Sequence, residues 1–206
     1  MLKRKFIQEL KKYLIEKYNC HLIILYGSYV IGEFTGESDV DLICFSDKDC
    51  PENDTSILSG FQLDAWIYNS EKIKNIDQYM RALKGKVIYD ERNQGKEFLN
   101  KIKHEYNKGP KKLNNQQKQF LKDWMKKMYK RSLKDDVEGN FRFHWMLVDS
   151  LEIYFNIKGI WYLGPKKALK WLELNDIEAY NILKNVYCKK IKLKSIKELL
   201  NLINQL

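Results

Sequence analysis

Tyr26-Gly27-Ser28-Tyr29-Val30-Ile31-Gly32-Glu33-Phe34-Thr35-Gly36-Glu37-Ser38-Asp39-Val40-Asp41-Leu42 is the stretch on which the fold turns. Just before it, His21–Leu25 is short, β-rich and nearly all apolar, which suits a central strand covered on both faces. Gly27-Ser28 then makes a strand-to-helix turn. Glycine lets an anionic group approach the main-chain N–H groups at such a turn, and the Ser28 hydroxyl adds one more donor. A Gly-Ser pair is also an ordinary strand terminator, so it does not decide the matter alone.

The far end of the stretch, Ser38-Asp39-Val40-Asp41, opens a second strand over Asp39–Phe45. Side chains alternate along a strand, so Asp39 and Asp41 share one side while Val40, Leu42 and Cys44 point to the other. Two adjacent carboxylates at the head of an apolar strand repel each other unless a cation neutralises them. Such a pair suits Mg²⁺, which takes one or two protein carboxylates and completes its octahedron with water and phosphate oxygens. Two solvated aspartates at a strand end would read the same way. A third strand, Phe61–Tyr68, sets Phe61, Leu63, Ala65 and Ile67 on one face and Gln62, Asp64, Trp66 and Tyr68 on the other. Asp64 is its only acid. If this strand lies beside Asp39–Phe45, Asp64 joins the other two aspartates; on an edge strand it would simply face water.

Working outward, Leu2, Phe6, Leu10, Leu14 and Tyr18 recur every four residues, the single buried stripe of a helix over Leu2–Tyr18. Residues 46–60 are polar, contain Pro51 and Gly60, and read as a surface connection. Lys86–Tyr89 reads as a fourth short strand. From Gln94 onward the period becomes helical over Glu97–Tyr106, Gln116–Leu133, Phe141–Ile157, Lys166–Leu174, Asp176–Tyr187 and Ser195–Leu206. Lys108-Gly109-Pro110-Lys111-Lys112 is the linker, because proline and glycine both resist helix continuation. The fold class is therefore α+β: an N-terminal domain over residues 1–107 with a small mixed sheet flanked by helices, then a C-terminal helical bundle over residues 113–206.

Composition narrows the function classes. With 44% hydrophobic residues the chain can bury a core, which excludes wholesale disorder. Its longest apolar run, near Leu22–Tyr26, is far short of the ~20 residues that span a bilayer. The N-terminal residues pass directly into an amphipathic pattern and show no signal-peptide core. Cys20, Cys44, Cys50 and Cys188 form no C-x-x-C pair, which favours reduced thiols and a cytoplasmic setting. Charge is unevenly divided. Residues 1–100 hold 14 Lys and Arg against 16 Asp and Glu, net −2, and residues 101–206 hold 23 against 11, net +12. A basic half fits an anionic partner, or equally a lysine-rich composition that coats solvated helix faces.

A strand, Gly-Ser, ten residues, Asp-x-Asp on a strand and a lone acid on a later strand together resemble the nucleotidyltransferase superfamily of DNA polymerase β. The stretch from Tyr26 to Leu42 looks like its signature in the small bacterial branch, which includes antibiotic nucleotidyltransferases of the kanamycin type and the minimal nucleotidyltransferases. The match covers roughly residues 20–90. It implies a nucleotidyltransferase catalytic domain and transfer of a nucleoside monophosphate from a nucleoside triphosphate, ATP by expectation, to an acceptor hydroxyl with release of pyrophosphate. By the same resemblance Gly27, Ser28 and Ser38 lie on the nucleotide, Asp39 and Asp41 hold Mg²⁺, and Asp64 completes a second metal site or takes the acceptor proton. Related enzymes place a lysine of the helical domain over the triphosphate. Lys167 is the candidate, beside a reading as a solvated lysine.

The acceptor is less legible. Trp145, Asp149 and Glu152 share a helix face by i, i+4 and i, i+3 spacing and would suit an acceptor sugar or amine; a core tryptophan beside surface acids is the plainer reading. A small-molecule acceptor such as an antibiotic fits the size of the chain. An RNA 3′ end would suit the basic half, but no RNA-binding module is recognisable. A protein acceptor or a toxin-partner role stays open, as does a nucleotide-sensing module without transfer. Neither a membrane nor a fixed oligomeric state is indicated.

Overall fold

The computed structural model describes residues 4–48, 52–188 and 193–206. Leu2, Cys50 and Pro51 lie outside the described residues. The chain divides into two compact units, Met1–Lys108 and Gly109–Leu206.

In the first unit, helix α1 (Arg4–Tyr18) buries Phe6, Leu10, Leu14 and Tyr18, the stripe read from the spacing. Each such apolar side chain contributes about 1.5–3 kcal/mol on leaving water. The stripe packs with Leu63, Ala65 and Ile67 and with Val40, Leu42 and Cys44 on one face of a mixed sheet. Strand β1 (Leu22–Leu25) is buried along its whole length and pairs antiparallel with β2 (Val40–Ser46) and β6 (Lys86–Asp90). Strand β5 (Phe61–Asn69) runs parallel to β2, and with β3 (Glu52–Asp54) at the edge the order is β3-β5-β2-β1-β6. On the opposite face Phe45, Tyr68, Tyr79 and Phe98 form a cluster of edge-to-face and tilted rings, with centroids 5.2–6.1 Å apart. Tyr79 comes from one of two 3₁₀ helices (Ser70–Lys74 and Ile76–Ala82) and Phe98 from α3 (Gly95–Lys108).

The connection expected over residues 46–60 is corrected. It contains β3 (Glu52–Asp54) and β4 (Ile57–Leu58), both paired antiparallel with β5, so β5 is an interior strand. Ser59 and Gly60 both have positive φ (50° and 84°) and close the β4–β5 hairpin in two residues. Strand β3 is polar, and a long-range network holds it. The Asp54 carboxylate is 4% exposed and accepts hydrogen bonds from the hydroxyls of Tyr13 and Tyr18 (both 2.8 Å), from the backbone N–H of Ser56 (2.8 Å) and from Lys17 Nζ (3.1 Å).

In the second unit, α4 (Asn115–Ser132), α5 (Val137–Lys158), α6 (Pro165–Asn175), α7 (Ile177–Val186) and α8 (Leu193–Gln205) surround a core that includes Met125, Met146, Tyr154, Phe155, Leu172, Leu183 and Leu199. The helix ends follow from identifiable residues. Asn114 and Gln117 form a reciprocal capping box, Asp136 and Asp176 cap α5 and α7, Gly159 ends α5 in the left-handed conformation, and Pro165 starts α6. Among the described residues no helix is long and apolar enough to cross a membrane, and Cys20, Cys44 and Cys188 are free thiols.

Burial alone would raise the Asp54 carboxyl, but hydrogen bonds from Ser56, Tyr13 and Tyr18 outweigh it and hold the group well below its ordinary 3.8. A depressed native value stabilises the fold above the unfolded value, and that contribution is lost as pH falls below it. Asp54→Asn should cost about 2 kcal/mol at neutral pH. The gap from wild type should shrink as urea-unfolding titrations are moved below about pH 4.

Candidate active site

The site grows from the end of β1. Tyr26 donates its backbone N–H to the carbonyl of Asp41 at 3.0 Å, so the chain leaves the sheet beside the second residue of β2. Gly27 then turns with φ 74° and ψ −154°, a region that only glycine occupies without strain. The N–H groups of Val30 and Ile31 donate to the Gly27 carbonyl (3.2 and 3.4 Å), which starts the single turn α2 (Ser28–Ile31) with Ser28 half-buried at its head. Edge-to-face and tilted contacts of Tyr29 with Phe34 and of Phe34 with Phe61 hold this turn against the α1 side of the sheet.

Gly27 is required for a second reason. A Cβ built there would overlap Asp41 Oδ2 and lie 2.6 Å from Asp41 Cγ. The Asp41 carboxylate thus occupies the space that any other residue's side chain would need. On the neighbouring parallel strand, Asp41 and Asp64 are direct register partners. Partners across a ladder project to the same face, so the two carboxylates share the side away from α1. Asp39 lies just outside β2 and is exposed. The ladder therefore joins two of the three expected acids. Among the described residues no three acidic, histidine or cysteine side chains are grouped as a metal site. Two carboxylates on one rung, beside a glycine that a backbone-hugging anion can approach, still meet the minimal demand of Mg²⁺, whose other ligands come from phosphate and water.

Tyr26, Trp66, Tyr68 and Arg81 complete this face. The Arg81 guanidinium lies 5.6 Å from the ring centres of both Tyr26 and Trp66, and its Nη2 donates to the Tyr68 hydroxyl at 2.7 Å. Trp66 and Tyr68 stack at 6.3 Å. Burial pushes the Tyr26 phenol well above its ordinary value; the Arg81 charge opposes this, and the negative charges of Asp41 and Asp64 add to it. Tyr26 is therefore a neutral hydroxyl under all physiological conditions. Sequence reading missed Arg81. The available signal was its rarity: the chain has five arginines against 32 lysines, and arginine is the residue suited to stacking on rings.

The remaining expected residues fall as follows. Ser38 is half-buried, and its hydroxyl contacts the Thr35 backbone N–H and hydroxyl (3.0 and 3.1 Å), a local turn closure. Lys167 is exposed in the first turn of α6. Trp145, Asp149 and Glu152 lie along α5. The Trp145 ring meets Trp124 and Phe141 edge-on at 5.9 and 5.8 Å, Asp149 is half-buried and Glu152 is exposed.

With that geometry in place, comparison with known proteins decides the family: the model of the nucleotidyltransferase domain matches residues 7–155. The chain belongs to the nucleotidyltransferase domain family. Membership places it in the DNA polymerase β-like superfamily and implies a transferase of nucleoside monophosphate groups with a nucleoside triphosphate as substrate. The matched span contains Gly27, Ser28, Asp39, Asp41 and Asp64. A nucleotidyltransferase-like protein from Exiguobacterium sibiricum is similar in structure, with a TM-score of 0.43 and 10% identity over 98% of this chain and 73% of that one. No curated protein matches the chain.

Gly27 and Gly32 both have positive φ, but only Gly27 is crowded; nothing lies within 4 Å of a Cβ at Gly32. Gly27→Ala should therefore lower unfolding free energy by about 2–3 kcal/mol and displace Asp41, while Gly32→Ala should cost about 1 kcal/mol. Urea unfolding of the two variants, with triphosphate binding measured by calorimetry, checks this. Binding should be lost in the first variant and kept in the second.

Proposed function

We propose that the chain is a divalent-metal-dependent nucleotidyltransferase that moves a nucleoside monophosphate from ATP to a hydroxyl of a small-molecule acceptor, an antibiotic being the leading class. The supporting observation is the Asp41–Asp64 rung packed against Gly27. It supplies two carboxylates and a stretch of main chain that a triphosphate can approach, in one place and within the span matched by the family.

In this reading residues 1–107 are the catalytic domain and residues 113–206 a helical domain. Gly27 and Ser28 carry the triphosphate tail: the glycine leaves room for its oxygens and the serine hydroxyl donates to them. Asp41, Asp64 and Asp39 would hold Mg²⁺. Mg²⁺ held by these carboxylates would supply positive charge against the charge that builds on the attacking and leaving oxygens. Asp64, across the rung from Asp41, would either complete the metal site or accept the acceptor's proton. Arg81, fixed by two rings and the Tyr68 hydroxyl, supplies a permanent positive charge on the same face. Holding the acceptor and the α-phosphate in line supplies the remaining rate enhancement.

The +12 charge of residues 101–206 favours a second reading, in which the acceptor is an RNA 3′ end. Pyrophosphate release with Mg²⁺, each of the four triphosphates and a panel of aminoglycosides, lincosamides and short RNAs separates the two. Release should require one small-molecule acceptor and vanish with EDTA. Asp41→Asn should lower it about 10³-fold with an unchanged circular dichroism spectrum. Near-wild-type release in that variant would remove Asp41 from the reaction. Triphosphate binding with no release for any acceptor would mark a sensor rather than a transferase.

A further inference from the structure

We infer that the Tyr26 hydroxyl donates a hydrogen bond to a phosphate oxygen of the bound triphosphate, a positioning contact in addition to those of Gly27 and Ser28. The inference rests on the triphosphate reading of the Gly27 turn.

It starts from a difference among the buried tyrosines. Tyr18, Tyr26, Tyr79 and Tyr154 are each no more than 5% exposed. Three of their hydroxyls are used inside the protein. Tyr18 donates to Asp54 Oδ2 at 2.8 Å, Tyr79 donates to the Lys72 carbonyl at 3.1 Å, and Tyr154 donates to Asp176 Oδ2. Among the described residues the Tyr26 hydroxyl has no hydrogen-bond partner. Its oxygen is not one of the sealed polar atoms either, so the ring is packed in protein while its tip meets water. Phenylalanine would fill the same volume, and a buried tyrosine ordinarily finds a partner for its O–H. At this position the partner has to arrive from solution.

The place where the hydroxyl ends indicates what arrives. Leu25 packs into the cluster on the α1 side of the sheet, so alternation turns Tyr26 to the face of Asp41 and Asp64. The surroundings agree. The Arg81 guanidinium lies 5.6 Å from the Tyr26 ring centre, and the charges of Arg81, Asp41 and Asp64 all act on the phenol. Because burial keeps its proton in place, the group can donate but cannot carry charge. A neutral donor beside a guanidinium suits an anionic oxygen, the stronger kind of hydrogen-bond acceptor. Tyr26 is also bonded directly to Gly27, the residue against which the triphosphate tail is read to lie. The acceptor's hydroxyl fits less well. Its oxygen must attack while its proton leaves, and a donor aimed at that oxygen would draw electron density away from it.

Tyr26→Phe removes one oxygen and keeps the ring against Arg81, so calorimetry with Mg²⁺ and two probes, ATP and inorganic tripolyphosphate, tests the contact. Both should bind the variant about tenfold more weakly than the wild type, by the same factor from about pH 6 to 9. The urea midpoint should not fall, because no bond within the protein is lost. Equal binding of both probes by variant and wild type would overturn the inference and leave the hydroxyl merely hydrated. Weaker binding of ATP alone would overturn it in favour of a contact to the nucleoside. A lower urea midpoint would assign the hydroxyl to the fold instead. A wild type that binds neither probe would remove the triphosphate reading itself, and this inference with it, which separates that failure from one confined to Tyr26.

Discussion

The N-terminal unit depends on an interlock between one glycine and one carboxylate. The Asp41 side chain fills the volume that a Cβ at residue 27 would occupy, and Gly27 adopts a backbone conformation that excludes other residues. The hydrogen bond from the Tyr26 N–H to the Asp41 carbonyl fixes the same two segments from the backbone side. The turn after β1 and the head of β2 are therefore positioned by each other rather than by separate loops. The parallel ladder then carries that position one strand further, to Asp64.

Placing two carboxylates on one rung has an electrostatic consequence. They repel, and the sheet on either side is strongly apolar, so the arrangement is costly unless positive charge is at hand. Arg81 belongs to that face, and the rings of Tyr26 and Trp66 with the Tyr68 hydroxyl fix where its guanidinium sits. Divalent cations drawn in with a polyphosphate would supply the rest. A protein that only needed a stable sheet would gain more from an apolar pair at this rung. The presence of both acids beside the Gly27 turn is what connects the geometry to chemistry.

Much of this was legible in the residues. The four-residue period of Phe6, Leu10, Leu14 and Tyr18, the unbroken apolar run of Leu22–Leu25 and the alternation through Phe61–Tyr68 each gave the correct element, because each pattern follows from burial on one or two faces. The pairing of Asp64 with Asp41 was a conditional expectation, and the condition, adjacent strands, is met. Two features were hidden for a common reason: they depend on partners distant in sequence. The polar β3 lacks strand propensity and exists because Tyr13, Tyr18 and Lys17 of α1 converge on Asp54. Arg81 arises in a 3₁₀ segment with no helical or strand period to announce it.

The most direct measurement is a crystal structure of the protein with Mg²⁺ and a non-hydrolysable triphosphate. The account predicts the triphosphate tail against the main chain of Gly27 and Ser28, with a metal at about 2.0–2.1 Å from carboxylate oxygens of both Asp41 and Asp64. A triphosphate bound elsewhere, or a metal held without Asp64, would contradict it.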